Sequence, residues 1–323
     1  MTFEPRFALV LLAAFFLSSL LTSALASLLT SSVLQARAGE AAPRASALAL
    51  FRLLPAVLAL ALTAGILAPG YFVHEQRAEL EGVGLVLACF AVGGVVLLSA
   101  SCARIAMAVR RGSAARRTLM AASRPIDLPG SDVPAYAVDA AFPMVAVLGV
   151  VRPRLFIAES VLQSCSPHEL RAIVEHERAH LRRGDNAMRL LMDATPDLLS
   201  FTRAHDAIAA AWHRAVEQRA DDAAERRLDL ASALVKVARA ASGARALDLP
   251  ASALYRGEDE DGIVSSRVRR LVGGRTIPST PTADRVLAGG AVLVGSAIVA
   301  TAVTGSASTA AHAILEFTVS ALR

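Results

Sequence analysis

Lysine is all but missing from this chain. Lys236 stands alone among 33 basic residues in 323 positions, so positive charge is carried by arginine. Cysteine is scarce too. Cys89, Cys102 and Cys165 are odd in number and fit no metal-knuckle spacing; they read as free thiols, which argues against a disulfide framework. Charge itself is thin, with 19% of residues charged against 54% hydrophobic, a balance seldom found in soluble domains. The net charge is +5. A basic excess can serve nucleic-acid binding, but here the arginines flank long apolar runs, the pattern of a cytoplasmic membrane face. No direct nucleic-acid contact is expected.

What the chain does contain is four apolar runs able to supply the roughly 20 residues of a membrane span. They cover residues 7–34, 53–72, 82–109 and 286–303, the last opened by Arg285 in a segment of 285–304. The first exceeds the apolar core of about 7–15 residues of a cleavable signal peptide, so it is expected to be retained. The last is rich in small residues such as Ala291 and Gly295, which suit close helix packing in lipid.

The arginines give these spans a direction. After the third run come Arg104, Arg110, Arg111, Arg116, Arg117 and Arg124 with no acid among them, and Arg267, Arg269, Arg270, Arg275 and Arg285 precede the fourth. Both flanks of the intervening polar region are therefore expected in the cytosol. The connection "HEQRAELEG" is net acidic and reads as external. The expectation is a multi-pass protein of the cell (inner or plasma) membrane, with both termini outside. It comprises a three-span segment at 1–109, a cytosolic domain at 110–284 and a short external tail at 305–323.

Within the polar region, "AYAVDAA", "MVAVLGVV" and "RLFIA" read as strands and "PIDLPGSD" as turns. From Ser166 the pattern is helical. Ser166-Pro167-His168-Glu169 combines a cap, a proline suited to the first helical position and a capping-box glutamate. Gly184 is the stop, giving a helix of about 17 residues. A second helix is expected from Asp185, a third through "DAIAAAWHRAVEQRADDAAERRLDL", and "IVSSRVRRLVG" reads as a short amphipathic helix returning to the membrane. The acidic run Glu258 to Asp261 reads as a solvated loop.

The first of these helices carries "VEHERAH". His176 and His180 are four apart and share a helix face, from which two neutral imidazoles can hold one Zn²⁺. Glu177, on the buried side, can take a proton from a water whose pKa the metal lowers towards about 7. This is the HExxH spacing of zinc proteases. A third ligand is needed, and Glu217 is the first choice, with Asp221 four residues later to orient a ligating histidine. Asp221 has no basic residue at helical spacing, so a cation between the two acids best explains like charges one turn apart. His213 and His205 are further ligand candidates, and His213 is also a candidate transition-state stabiliser. His168 points away from the pair.

"EHERAHLRRGDNAMRL", followed by "EQRADDAA" and preceded by "VLGVVRPRLFIAESVL", resembles the integral-membrane zinc metallopeptidases of the BlaR/MecR type. The likeness covers roughly 140 to 225, and His176, Glu177, His180, Glu217 and Asp221 match its motif positions. It implies a mainly α membrane protein: four transmembrane helices, with a cytosolic α+β zincin-like metalloprotease domain between the third and fourth. It further implies one Zn²⁺ per chain and a cytosolic protein substrate. In signalling members an external sensor binds a beta-lactam and the protease triggers loss of a transcriptional repressor. Only about twenty residues follow the last span here, which puts antibiotic sensing in doubt. Two other readings stand beside this one: an HtpX-like quality-control protease and a catalytically silent membrane signalling protein.

Overall fold

The structure is a computed structural model that describes residues 5–36, 41–69, 84–140, 142–241 and 261–273. The fourth apolar run, the tail at 305–323, the acidic connection at 74–82 and residues 258–260 of the acidic loop lie outside the described residues. The chain divides into two compact units. One comprises Met1–Arg104, Met192–Trp212 and Thr280–Arg323; the other comprises Ile105–Leu191 and His213–Ser279.

The first unit is built on apolar helices. α1 spans Pro5–Ala36, α2 spans Ala41–Leu62, and α3 (Leu85–Ala121) begins here. Among the described residues, three stretches are long and apolar enough to cross a membrane: Phe7–Gln35, Arg44–Gly65 and Leu85–Ala121. α1 and α3 approach closely at paired glycines. A Cβ on Gly94 would strike the Leu12 carbonyl, and one on Gly93 would meet the Phe16 ring at 2.9 Å.

The second of these helices departs from its sequence expectation. Arg52 reads in sequence as the flank of a run at 53–72, yet it lies in the middle of α2 and is fully buried. Its charge is compensated in place. Nη1 lies 2.8 Å from Asp197 Oδ2, Nη2 donates to Ser200 Oγ at 2.7 Å, and Nε donates to His205 Nδ1 at 2.7 Å. A guanidinium with all its nitrogens engaged can sit inside an apolar helix where an unpaired one could not.

The second unit carries a four-stranded sheet: β1 (Ser123–Ile126), β2 (Ala135–Val138), β3 (Val145–Leu148) and β4 (Arg154–Ala158), in the order β1-β2-β4-β3. β2 and β4 run parallel at the centre, and β1 and β3 pair antiparallel at the edges. The last four residues of β4 are buried, the near-continuous apolar run of a strand covered on both faces. Three strands lie where their sequence predicts. β1 does not read as a strand because "SRPI" holds a proline, which an edge strand tolerates.

Helices follow the sheet. α4 covers Glu159–Ser164, α5 covers Pro167–Arg183 and α6 covers Asp185–Ala194. A 3-10 turn at Leu198–Phe201 leads to α7 (Arg203–Ala223), α8 (Arg227–Ala241) and α9 (Asp261–Val272). α5 has the expected limits. Ser166 Oγ accepts from the Glu169 amide, Glu169 returns the bond to the Ser166 amide, and Gly184 ends the helix in a left-handed conformation (φ 67°). Ala172, Ile173 and Val174 bury one face of α5 in the main core with β4 and α8. Burial of side chains the size of Ile173 and Val174 is worth roughly 1.5–3 kcal/mol each.

The single helix expected through 206–230 is two, α7 and α8, broken at residues 224–226. No glycine or proline marks the break. Tertiary contacts make it: Ala224 is buried in the main core, and the Glu225 amide donates to Glu175 Oε2 of α5 at 3.2 Å.

The chain's one lysine has a defined place. Lys236 Nζ on α8 lies 2.7 Å from Glu169 Oε2, and Ser232 Oγ donates to Glu169 Oε1 at 2.6 Å. Burial pushes the Glu169 carboxyl up, but the bonds from Lys236, Ser232 and Ser166 outweigh it and hold the pKa at about 2. A depressed folded-state pKa adds stability above the ordinary carboxylate value, and that stability is lost as pH falls towards about 2. With the half-exposed Lys236 discounted for screening, Glu169→Gln should cost on the order of 1–2 kcal/mol at pH 7. Thermal unfolding of the full chain in detergent should show that gap narrowing from pH 5 to pH 3. A gap of constant size would contradict the assignment.

Candidate metal centre

α5 brings His176 and Glu177 to its buried side, and α7 faces them with Glu217 and Asp221. His176 is 1% exposed, Glu177 3% and Asp221 0%, while Glu217 and His180 retain partial exposure. The two imidazoles turn their Nε2 atoms towards each other at 3.1 Å. Glu217 lies across both, with Oε2 3.5 Å from His176 Nε2 and Oε1 3.5 Å from His180 Nε2.

Each imidazole is backed by a carboxylate at its other nitrogen. His180 Nδ1 is 2.8 Å from Asp185 Oδ2, and Arg219 Nη2 donates to Asp185 Oδ1 at 2.6 Å. His176 Nδ1 is 3.2 Å from Asp221 Oδ1, close enough for an ion pair though off the line of a well-formed hydrogen bond. A proton fixed on Nδ1 leaves a lone pair on Nε2. A proton on one Nε2 makes the 3.1 Å contact a hydrogen bond, and a metal ion held by both imidazoles would take that proton's place.

The donor set fits a metal ion. Four-coordinate zinc with bonds of 2.0–2.1 Å sets its ligand atoms about 3.3 Å apart. The imidazole nitrogens are 3.1 Å apart and each lies 3.5 Å from a different Glu217 oxygen, all near that value. His176, His180 and Glu217 are the group that could hold a metal among the described residues.

The electrostatics agree with the geometry. Burial works against a charged His176, but its contacts with Asp221 and Glu217 outweigh burial and push its pKa up to about 9. Burial pushes the Glu177 carboxyl up to about 7 against the pull of His180 and His176. Burial also opposes the charge on Glu217 and Asp221, but Arg267 and the histidines hold both below the usual carboxylate range. The pocket favours positive charge at His176 and keeps one carboxyl, Glu177, near neutrality.

Arg267 does not emerge from the sequence reading. It reaches the site from α9, 46 residues after Asp221, and is 5% exposed. It is the cation between Glu217 and Asp221 that their spacing calls for, in a place where the sequence argument looks for a metal alone. Asp185 is likewise absent from the sequence reading as a site residue. Its signal is a carboxylate directly after the Gly184 stop.

The other candidates are not members of that cluster. His213 lies one turn before Glu217 on α7, half-buried and outside the three-ligand cluster. His205 accepts from Arg52. His168 is exposed, as its place on the helix wheel predicts.

Comparison with known families bears on part of the chain. Residues 75–198 match the model of the BlaR1 peptidase M56 family. The match includes His176, Glu177, His180 and Asp185, and it ends before Glu217, Asp221 and Arg267. The resemblance carried by "EHERAHLRRGDNAMRL" is thus a family match over that stretch. M56 peptidases are metallopeptidases of membranes, in keeping with the three membrane-capable helices and the His176-His180-Glu217 cluster. No curated protein matches the chain.

Removing the carboxylate behind a metal-ligating histidine weakens metal binding by roughly 10–100-fold. Asp185→Asn should show that loss of zinc affinity in a chelator competition on the full-length protein. His180→Ala, which deletes a ligand, should abolish stoichiometric binding. An Asp185→Asn protein that binds zinc as tightly as wild type would show that the His180–Asp185 contact serves folding alone.

Proposed function

We propose that this protein is a zinc-dependent endopeptidase of the cell membrane that cleaves a protein on the cytosolic side. The observation that carries this reading is the convergence of His176 Nε2, His180 Nε2 and the Glu217 carboxylate, with the buried Glu177 beside them. Zinc bound there supplies Lewis acidity for a peptide carbonyl and makes a water easier to deprotonate.

The chain's own residues do the rest. Glu177 takes a proton from the attacking water and passes it to the leaving amine, the shuttle that a carboxyl held near pKa 7 by burial can perform. Asp221 and Asp185 lie against the Nδ1 atoms of His176 and His180, the side from which a carboxylate orients a metal-binding imidazole. Burial of His176, Glu177 and Asp221 keeps bulk water from competing at the buried side.

The cytosolic side is supported by the arginine excess after the third apolar run and in α9, with Arg110, Arg111, Arg116, Arg117, Arg269 and Arg270 among them. A regulatory substrate, in particular a transcriptional repressor, is the finer reading suggested by the BlaR1-type match.

Glu177→Ala should retain zinc while losing about 10²–10⁴-fold in peptidase activity. A proteomic comparison of cells carrying wild type and Glu177→Ala should reveal a soluble protein cleaved only in the wild type. Identical proteomes, together with no zinc in the purified protein, would sink the enzyme reading. Orientation has its own check: a reporter fused after Arg124 should give a cytosolic signal, and an external signal would reverse the topology.

A further inference from the structure

α9 reads in sequence as an amphipathic helix with no part in the chemistry, yet its Arg267 is buried against the site. The guanidinium spends all three nitrogens on two acids one helical turn apart. Nε and Nη2 grip Asp221 at 3.0 and 2.7 Å, and Nη1 lies 3.0 Å from Glu217 Oε2. We infer that Arg267 is a positioning residue for the metal centre, fixing the Glu217 and Asp221 carboxylates in the orientation that metal binding requires. This rests on the reading of His176, His180 and Glu217 as the ligands.

Three observations carry it. First, Glu217 and Asp221 project from the same face of α7, and like charges at that spacing repel. A fixed cation between them removes the repulsion and sets both side chains at once. Second, the Asp221 oxygen that Nη2 holds is Oδ1, the same atom that faces His176 Nδ1. The direction of that oxygen, and hence the pose of the imidazole, follows from a two-point grip. Third, Arg267 Nη1 meets Glu217 Oε2, the oxygen 3.5 Å from His176 Nε2, and so also sets Oε1, which lies 3.5 Å from His180 Nε2. A lysine could supply the charge but not the planar fork that meets three oxygens.

The structure also supplies a control on the same helix. Arg270 of α9 bonds to the same stretch of α7, with Nη1 3.0 Å from Asp222 Oδ2 and Nη2 donating to the Gln218 carbonyl. Val264 and Leu271 bury the apolar side of α9. Docking of α9 therefore has supports besides Arg267.

The test uses full-length protein in detergent and zinc affinity measured by competition with a chromophoric chelator. Arg267→Lys and Arg267→Met should weaken zinc binding about 10–100-fold. Arg270→Met should stay within about threefold of wild type while lowering the melting temperature of the zinc-free protein. Cobalt(II) in place of zinc should give an altered visible spectrum in Arg267→Lys, reporting displaced ligands, and an unaltered one in Arg270→Met. The inference is overturned if the Arg267 variants hold zinc as wild type does, or if Arg270→Met weakens zinc as much as they do. A wild type that binds no zinc would instead overturn the underlying metal reading.

Discussion

Ionised groups taken out of water must find opposite charge or lose their own, and that requirement organises the site. α5 and α7 press two imidazoles and three carboxyl groups into one place. Each resolves its burial differently. Asp221 takes Arg267 and His176, Glu217 takes Arg267 and lies across both imidazoles, and Glu177, with burial dominating, moves towards neutrality. The ordering of roles, with one carboxyl able to carry a proton and two held anionic, follows from which acids the guanidinium reaches. Remove that compensation and the same residues on the same helices would be an unstable cluster of like charge.

The same rule operates in the apolar unit. Arg52 would end a membrane helix if it were unpaired, and a hydropathy reading treats it so. Asp197, Ser200 and His205 come from more than 140 positions later in the chain and make it compatible with the interior of α2. Local sequence shows the cost of a buried charge but not the distant partner that offsets it.

This sets the limit of what the sequence discloses. α5 was legible almost to the residue, because caps, a proline and a terminal glycine act over four positions, and so was the placing of two histidines on one of its faces. The strands β2, β3 and β4 were legible from apolar runs. What escaped depends on tertiary contact. The break between α7 and α8 is made by a buried alanine and by Glu175 of another helix. β1 is a strand because β2 lies beside it. Arg267 and Asp185 belong to the site only once α9 and α6 are in place. Asp221 needs a cation beside it, and a guanidinium from a distant helix satisfies that need as well as a metal does.

Gly184 has a consequence beyond ending α5. Asp185 is five residues after His180, and on a continuous helix it would stand about 140° away around the axis. The left-handed residue between them turns the chain back, so that the first side chain of α6 faces the imidazole. No atom would obstruct a methyl group at position 184, so steric room does not demand the glycine; its backbone angle does. One dihedral thus serves as the address of a carboxylate. A change there would be read first in the tautomer of a histidine one turn away, before it registered in the length of a helix.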